Sequence, residues 1–276
     1  MRRNIFVAIA LAAQCVCANA ATIQTRTGVY RGEITHIQAG TVFIKQEQGE
    51  FGISIRDILR IELERPAAYD QAVAALRTGK PQDAVAALKP VVDRYAGLPV
   101  PWLVEAFLRL GDAYLDLKDT KSAAATFDRL KQLYPSWPQV QAVDVKNARV
   151  LLNLQKYDEA LKVIKSYLEP QLKKDFLPAD QEVIVAEALV IQGDCLLAMQ
   201  KPYEAMDSYL LVVTLFDYDD ARAAEARFKV AQILEQTGNP KRAREEYEDL
   251  VKEAPDSPFA AEAKKRIAEL AKANPQ

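Results

Sequence analysis

Histidine and cysteine are nearly missing from this chain. One histidine and three cysteines occur in 276 residues. A lone His36 has no second histidine and no nearby cysteine to build a metal or acid–base site with. Cys15 and Cys17 fall in the first twenty residues, so a chain cleaved after Ala20 keeps only Cys195 and forms no internal disulfide. Glycine is sparse beyond Gly52. The sequence has no Gly-rich phosphate loop, no metal-ligand spacing and no Ser/His/Asp set. These absences argue against an enzyme, and no cofactor and no metal are expected. Charge is nearly balanced, with a formal net charge of −2, so there is no general electrostatic drive toward nucleic acid. No apolar run reaches the ~20 residues that a membrane-spanning helix needs.

What is present begins with an export signal. Met1, Arg2, Arg3 and Asn4 form a basic start, residues 5–13 a short apolar core, and Ala18, Asn19 and Ala20 a small–x–small cleavage pattern. Residues 1–20 therefore read as a Sec signal peptide, with the exported chain starting near Ala21. Losing Arg2 and Arg3 shifts the formal charge from −2 to about −4. A lipid-attachment site fits poorly, because Gln14 and Val16 stand where a lipobox before Cys17 wants a leucine and a small residue. Membrane association is expected only through lipidation or through a partner, and the location is periplasmic or elsewhere in the cell envelope.

Residues 21–64 differ from everything after them. They are rich in Ile, Val, Thr and Phe and are punctuated by glycine. Alternation predicts strands over 29–37, 41–46, 51–55 and 58–63, with turns at Ala39-Gly40 and Gln48-Gly49-Glu50. Four or five short strands in about forty residues suggest a small, bent barrel. The bend at Gly32, the meander and the step through Ile55, Arg56, Asp57 and Ile58 resemble the Sm-like and SH3-like small barrels. RNA binding does not carry over, since the module has only scattered Arg26, Arg31, Lys45, Arg56 and Arg60. An adhesive or structural cap is the plainer reading, and a structural place in its strand is the plainer one for His36.

From Pro66 onward, through residue 276, the pattern is helical hairpins. The best formed covers 110–135, LGDAYLDLKDTKSAAATFDRLKQLYP. Small Gly111 and Ala123 sit where two helices must touch, Leu110, Tyr114, Phe127 and Leu130 fill the space between, and Pro135 ends the unit. Related small residues recur at Ala84, Ala123, Ala160, Ala205 and Ala243, at spacings of 39, 37, 45 and 38 residues. Turn residues at 79–81, 118–119, 155–157, 200–202 and 238–240 fall between the paired helices. The last segment, 257–273, reads as a single charged helix with Ser257 as N-cap, a solvating end for the array.

These five units resemble the tetratricopeptide repeat family over about 200 residues. The second and fifth match the family's hallmark positions best; the third has Ala148 in place of the usual glycine. Insertions at 168–180 and 217–220 depart from the ~34-residue period. The expected fold class is mainly α: a right-handed superhelical array of about five tetratricopeptide-like hairpins with a capping helix, preceded by the small β module. Cys195, following Gly193 and Asp194 on a packed helix, reads as a buried, inert thiol.

The resemblance implies a groove lined by the first helix of each hairpin. Steps of three and four residues along those helices place Leu108, Asp112, Leu115, Asp116, Arg149, Asn153, Glu187, Val190, Asp194, Phe228 and Gln232 on that face. Acids outnumber bases and apolar residues are interleaved. This favours protein or peptide partners of basic character, and Asp112 and Asp116 argue against a clamp for a C-terminal carboxylate. The leading function is a non-enzymatic exported scaffold or adaptor in the bacterial cell envelope. Alternatives are an envelope structural protein associated with cell-wall glycan or the outer membrane, or an accessory subunit of an envelope enzyme or secretion complex. A homo-oligomer is a further alternative.

Overall fold

The computed structural model describes residues 20–137, 140–216 and 221–273. The segment read as a signal peptide, up to residue 19, and the insertion at 217–220 lie outside the described residues. The chain divides into two compact units, Met1–Phe107 and Leu108–Gln276.

The first unit opens with five strands: β1 (Ala20–Thr25), β2 (Val29–Gln38), β3 (Thr41–Gln46), β4 (Gly49–Ser54) and β5 (Ile58–Leu63). They form one antiparallel sheet in the order β4-β3-β2-β1-β5. Alternation directs Ile23, Ile34, Val42, Ile44 and Ile53 inward, where they are buried. β1 is the strand that the sequence pattern did not resolve; it is short, and its inward residues Ala21, Ile23 and Thr25 include only one large apolar side chain. Gly32 is required by close approach: a Cβ there would lie 2.2 Å from the Lys45 carbonyl oxygen. A single 3₁₀ turn over Ile55–Asp57 joins β4 to β5. His36 stacks flat on Phe43, ring centroids 4.3 Å apart, across the β2–β3 pair.

The first hairpin, α1 (Ala67–Arg77) and α2 (Pro81–Tyr95), belongs to the same unit. Arg94 donates from Nη2 and Nε to the Ile34 carbonyl at 2.7 and 3.1 Å, and Nη2 also reaches Glu33 at 2.7 Å. Trp102 Nε1 donates to the Leu63 carbonyl at 3.2 Å. Composition changes at Pro66, but these bonds tie the sheet to the helices after it. All of these residues lie in the unit that runs to Phe107.

Nine further helices follow among the described residues: α3 (Pro101–Asp116), which crosses the division, α4 (Thr120–Leu133), α5 (Gln141–Asn153), α6 (Tyr157–Gln171), α7 (Ala179–Ala198), α8 (Pro202–Leu215), α9 (Ala221–Gln236), α10 (Pro240–Glu253) and α11 (Ala260–Ala273). Ala72, Ala84, Ala123, Ala148, Ala160, Ala205, Ala231 and Ala243 are all fully buried, as expected of residues that let helices approach closely. Tyr209 and Tyr247 are fully buried too, each such ring contributing about 1.5–3 kcal/mol by area. They are core, not a ligand box.

Every hairpin turns in the same way. Gly79, Lys118, Gln155, Gln200 and Gly238 each have positive φ, between 59° and 80°. The next residue then donates its N–H five residues back, as in Lys80 to Ala75, Asp119 to Tyr114 and Lys201 to Leu196, all at 2.9 Å. This is the Schellman closure, which satisfies orphan carbonyls at a helix end. Asp119 alone among the described hairpin N-caps accepts a side-chain cap bond, from Ser122 N at 3.0 Å.

The last helix corrects one expectation. Ser257 does not cap it: α11 starts at Ala260, and the Ser257 hydroxyl is buried without a hydrogen bond. The Ser257 carbonyl accepts the Ala260 N–H instead, in a tight turn that delays the helix by two residues.

Candidate functional site: a mixed-charge cavity on the first helices of the hairpins

Within the second unit, the C-terminal part of α3 together with α5, α7 and α9 lines a cavity of about 350 Å³. Its walls are Asp112, Leu115 and Asp116 from α3, Lys146, Arg149 and Asn153 from α5, Glu187 from α7 and Arg222 from α9. The spacing explains the convergence. Asp112 and Asp116 are one turn apart, and Lys146, Arg149 and Asn153 follow at three and four, so each helix presents one row.

Lys146 is the hub. Its ammonium donates to Glu187 Oε1 and Oε2 at 2.8 and 2.9 Å and to Asp112 at 3.1 Å. Arg222 Nη2 reaches Glu187 at 3.3 Å. Lys146 and Glu187 are each 8% exposed, a depth at which a charge must be paired. Burial alone would raise the Glu187 carboxyl, yet Lys146, then Arg222, pull it down to about 2. Burial would likewise lower Lys146, but Asp112 and Glu187 hold its ammonium above the usual range. Asp112 goes the other way: burial raises it, and Lys146 only partly offsets that.

A second cluster adjoins the first. Arg149 Nη1 lies 3.7 Å from Asp194. Asp194 also accepts from the Tyr209 hydroxyl at 2.7 Å and pairs with Lys229 of α9. Asp116 differs from its neighbours: among the described residues it forms no ion pair. Burial, then the nearby Asp112, raise its carboxyl.

The structure thus brings together Asp112, Leu115, Asp116, Arg149, Asn153 and Glu187, with Asp194 beside them and Leu108 half-buried earlier on α3. Gln232 is exposed on α9. Two expected face residues are corrected. Val190 is fully buried, because α7 is enclosed on nearly all sides. Phe228 packs its ring 5.5 Å from those of Tyr247 and Phe259 and is core. Sequence reasoning also missed Lys146, Arg222 and Lys229. On α5, a step of four back from Arg149 reaches the buried Val145, whereas a step of three reaches Lys146, and that one residue turns the face by about 100°. With the bases restored, the face is not predominantly acidic: three carboxylates meet three cations around the cavity.

Among the described residues no group of three or more His, Cys, Asp or Glu is placed to hold a metal ion, and no helix is long and apolar enough to cross a membrane. Cys195 is buried, and burial, then Asp194, push its thiol up to about 11, which suits an inert group.

Two stretches of the chain match family models described as tetratricopeptide repeat, residues 69–138 and 224–270. No curated protein matches the chain. Solved structures are similar in fold at low identity. A thermophilic tetratricopeptide repeat protein of Thermus thermophilus is 16% identical with a TM-score of 0.55, over 74% of this chain and 97% of that one. A Rap protein complexed with Competence and Sporulation Factor gives 16% and 0.60, over 74% of this chain and 56% of that one. NprR in complex with its cognate peptide NprX gives 16% and 0.59, over 74% and 58%. These stretches carry tetratricopeptide repeats, and the helices form a solenoid of that type that follows a small five-stranded antiparallel sheet in the sequence.

Proposed function

We propose that this protein is a non-enzymatic scaffold of the bacterial cell envelope, exported by its N-terminal signal, that holds a polypeptide partner on the α3–α5–α7–α9 face. Tetratricopeptide repeats serve protein–protein interaction, and the similar fold of NprR holds a cognate peptide. The observation that carries the reading is the cavity itself. Two helical rows face each other, carboxylates on α3 and cations with an amide on α5, joined at one end by Lys146 and Asp112. At the other end Asp116 stands opposite Arg149 and Asn153 with no ion pair of its own among the described residues. An extended peptide offers groups of both kinds there, carbonyls toward Arg149 and Asn153 and N–H groups or a basic side chain toward Asp116. The partner is thus a polar segment with at least one basic residue, not a uniformly basic one.

Affinity capture from envelope extract tests this, using the purified chain and two variants, Asp116→Lys and Arg149→Glu. A partner retained by the wild type and lost from both variants, each folded by circular dichroism, is the expected result. Equal retention by all three would remove this face from the function. N-terminal sequencing of the protein recovered from the envelope fraction tests export, with Ala21 or a near neighbour expected as first residue.

A further inference from the structure

We propose that the second unit pairs with a second copy of this chain through Phe176, which seats in a cleft on α6 of the partner protomer. Phe176 lies in the α6–α7 connection and is 78% exposed, the most exposed large apolar side chain among the described residues; Leu172 in the same connection is 43% exposed. Covering such a pair removes apolar surface from water. The cleft has a volume of about 750 Å³. Its apolar lining is Leu151 from α5 and Val163, Tyr167 and Pro170 from α6, with Asp144, Glu159, Lys162, Ser166 and Gln171 beside them. The Tyr167 hydroxyl makes no hydrogen bond among the described residues, and Phe176 does not line the cleft of its own chain.

Charge identifies the occupant. Most carboxylates around the cleft are held: Asp144 by Lys131 at 2.8 Å, Glu159 by Lys156 at 3.1 Å and Glu169 by Lys173 at 3.0 Å. Lys162 on the rim and Asp175, next to Phe176, form no ion pair among the described residues. A protruding ring with an acid beside it fits an apolar hollow with a base beside it. Gln171 lines the cleft and Phe176 follows five residues on, so one short segment carries both knob and hollow. A segment that carries both halves of a contact can pair with its own copy about a twofold axis, satisfying each half twice. A different protein would need only one of the halves.

Sedimentation velocity on the full chain across the micromolar range tests the proposal. The wild type is expected to dimerise with concentration, and Phe176→Ala to weaken dimerisation by about tenfold or more. Lys162→Glu and Asp175→Lys are each expected to weaken it, and the double variant to recover most of the loss. All three side chains are exposed, so thermal melting measured at concentrations below the dimerisation range should be unchanged. A wild type that stays monomeric throughout, a dimer indifferent to Phe176→Ala, or a double variant no stronger than its parents would each overturn it.

Discussion

The ring of Phe127 lies on the bare backbone of Gly111. A Cβ at position 111 would stand 2.2 Å from Cε1 and 2.4 Å from Cζ of that ring. The same contact recurs two hairpins on, where a Cβ at Gly193 would meet Tyr209 at 2.4 Å. Both rings are fully buried and cannot swing away without opening the hairpin.

Gly111→Ala should therefore destabilise the protein, although alanine is about 1 kcal/mol better than glycine in an open helix. Overpacking costs about 1–3 kcal/mol, and a clash this close belongs at the upper end. The check is a chemical denaturation midpoint. In a Phe127→Leu background the same substitution should cost clearly less, since the two positions act on one contact. Equal costs in both backgrounds would mean that the ring is not what forbids the Cβ.

This contact shows what was readable from the sequence. Gly111, Ala123, Phe127 and Leu130 stand at periodic positions, and period is a backbone property that survives into the fold. The hairpins, their turns and the buried alanines follow from it. The cavity was harder. Lys146 was missed because a charged residue beside Val145 looks like a solvated one; only three neighbouring helices show that it is 8% exposed. Val190 and Phe228 were misplaced for the converse reason. A first helix in the middle of an array is covered on both sides, so no apolar stripe separates groove from core. The ties from Arg94 and Trp102 to the sheet run to backbone carbonyls, which carry no sequence signal.

The hairpin turns make a second test. Lys118, Gln155 and Gln200 hold φ of 59°, 60° and 59°, a region that costs a residue with a Cβ about 1–2 kcal/mol. Gly79 and Gly238 fill the equivalent places. Replacing any of the three by glycine should stabilise the protein by about 0.5–1 kcal/mol, the relief of strain less the added freedom of the unfolded chain. Gly79→Ala and Gly238→Ala should do the reverse. Thermal melting reads both series, and opposite signs are the expected pattern.

Breaking the Lys146 hub should be among the most damaging single changes. Lys146→Met leaves Glu187 and Asp112 without their shared cation, and removing one partner of a buried pair costs about 3–5 kcal/mol. Asp112→Lys, a plain surface reversal by sequence, would set two ammonium groups together and should also unfold the array. Asp116→Lys touches no ion pair among the described residues and should leave stability within about 0.5 kcal/mol. Urea titrations of the three variants should rank them in that order, with Asp116→Lys near the wild type.

The same hub sets the acid limit of stability. The Glu187 carboxyl falls from 4.5 to about 2 on folding. A carboxyl whose folded pKa is depressed contributes stability above its unfolded value, and that contribution is lost as pH falls from about 4.5 toward 2. At ~1.36 kcal/mol per pKa unit this is about 3 kcal/mol. Asp112 works against it: its folded pKa is raised, so it costs stability at neutral pH and returns some on acidification. Net loss should be smaller than Glu187 alone would give and confined to the acid side of pH 4.5. Urea unfolding at pH 6, 4.5 and 3 checks this in the wild type and in Glu187→Gln. The variant should be less stable at pH 6 yet decline less toward pH 3, because the group whose ionisation supplied the slope is gone. A parallel decline in both proteins would move the acid sensitivity away from the Lys146 cluster to carboxylates elsewhere.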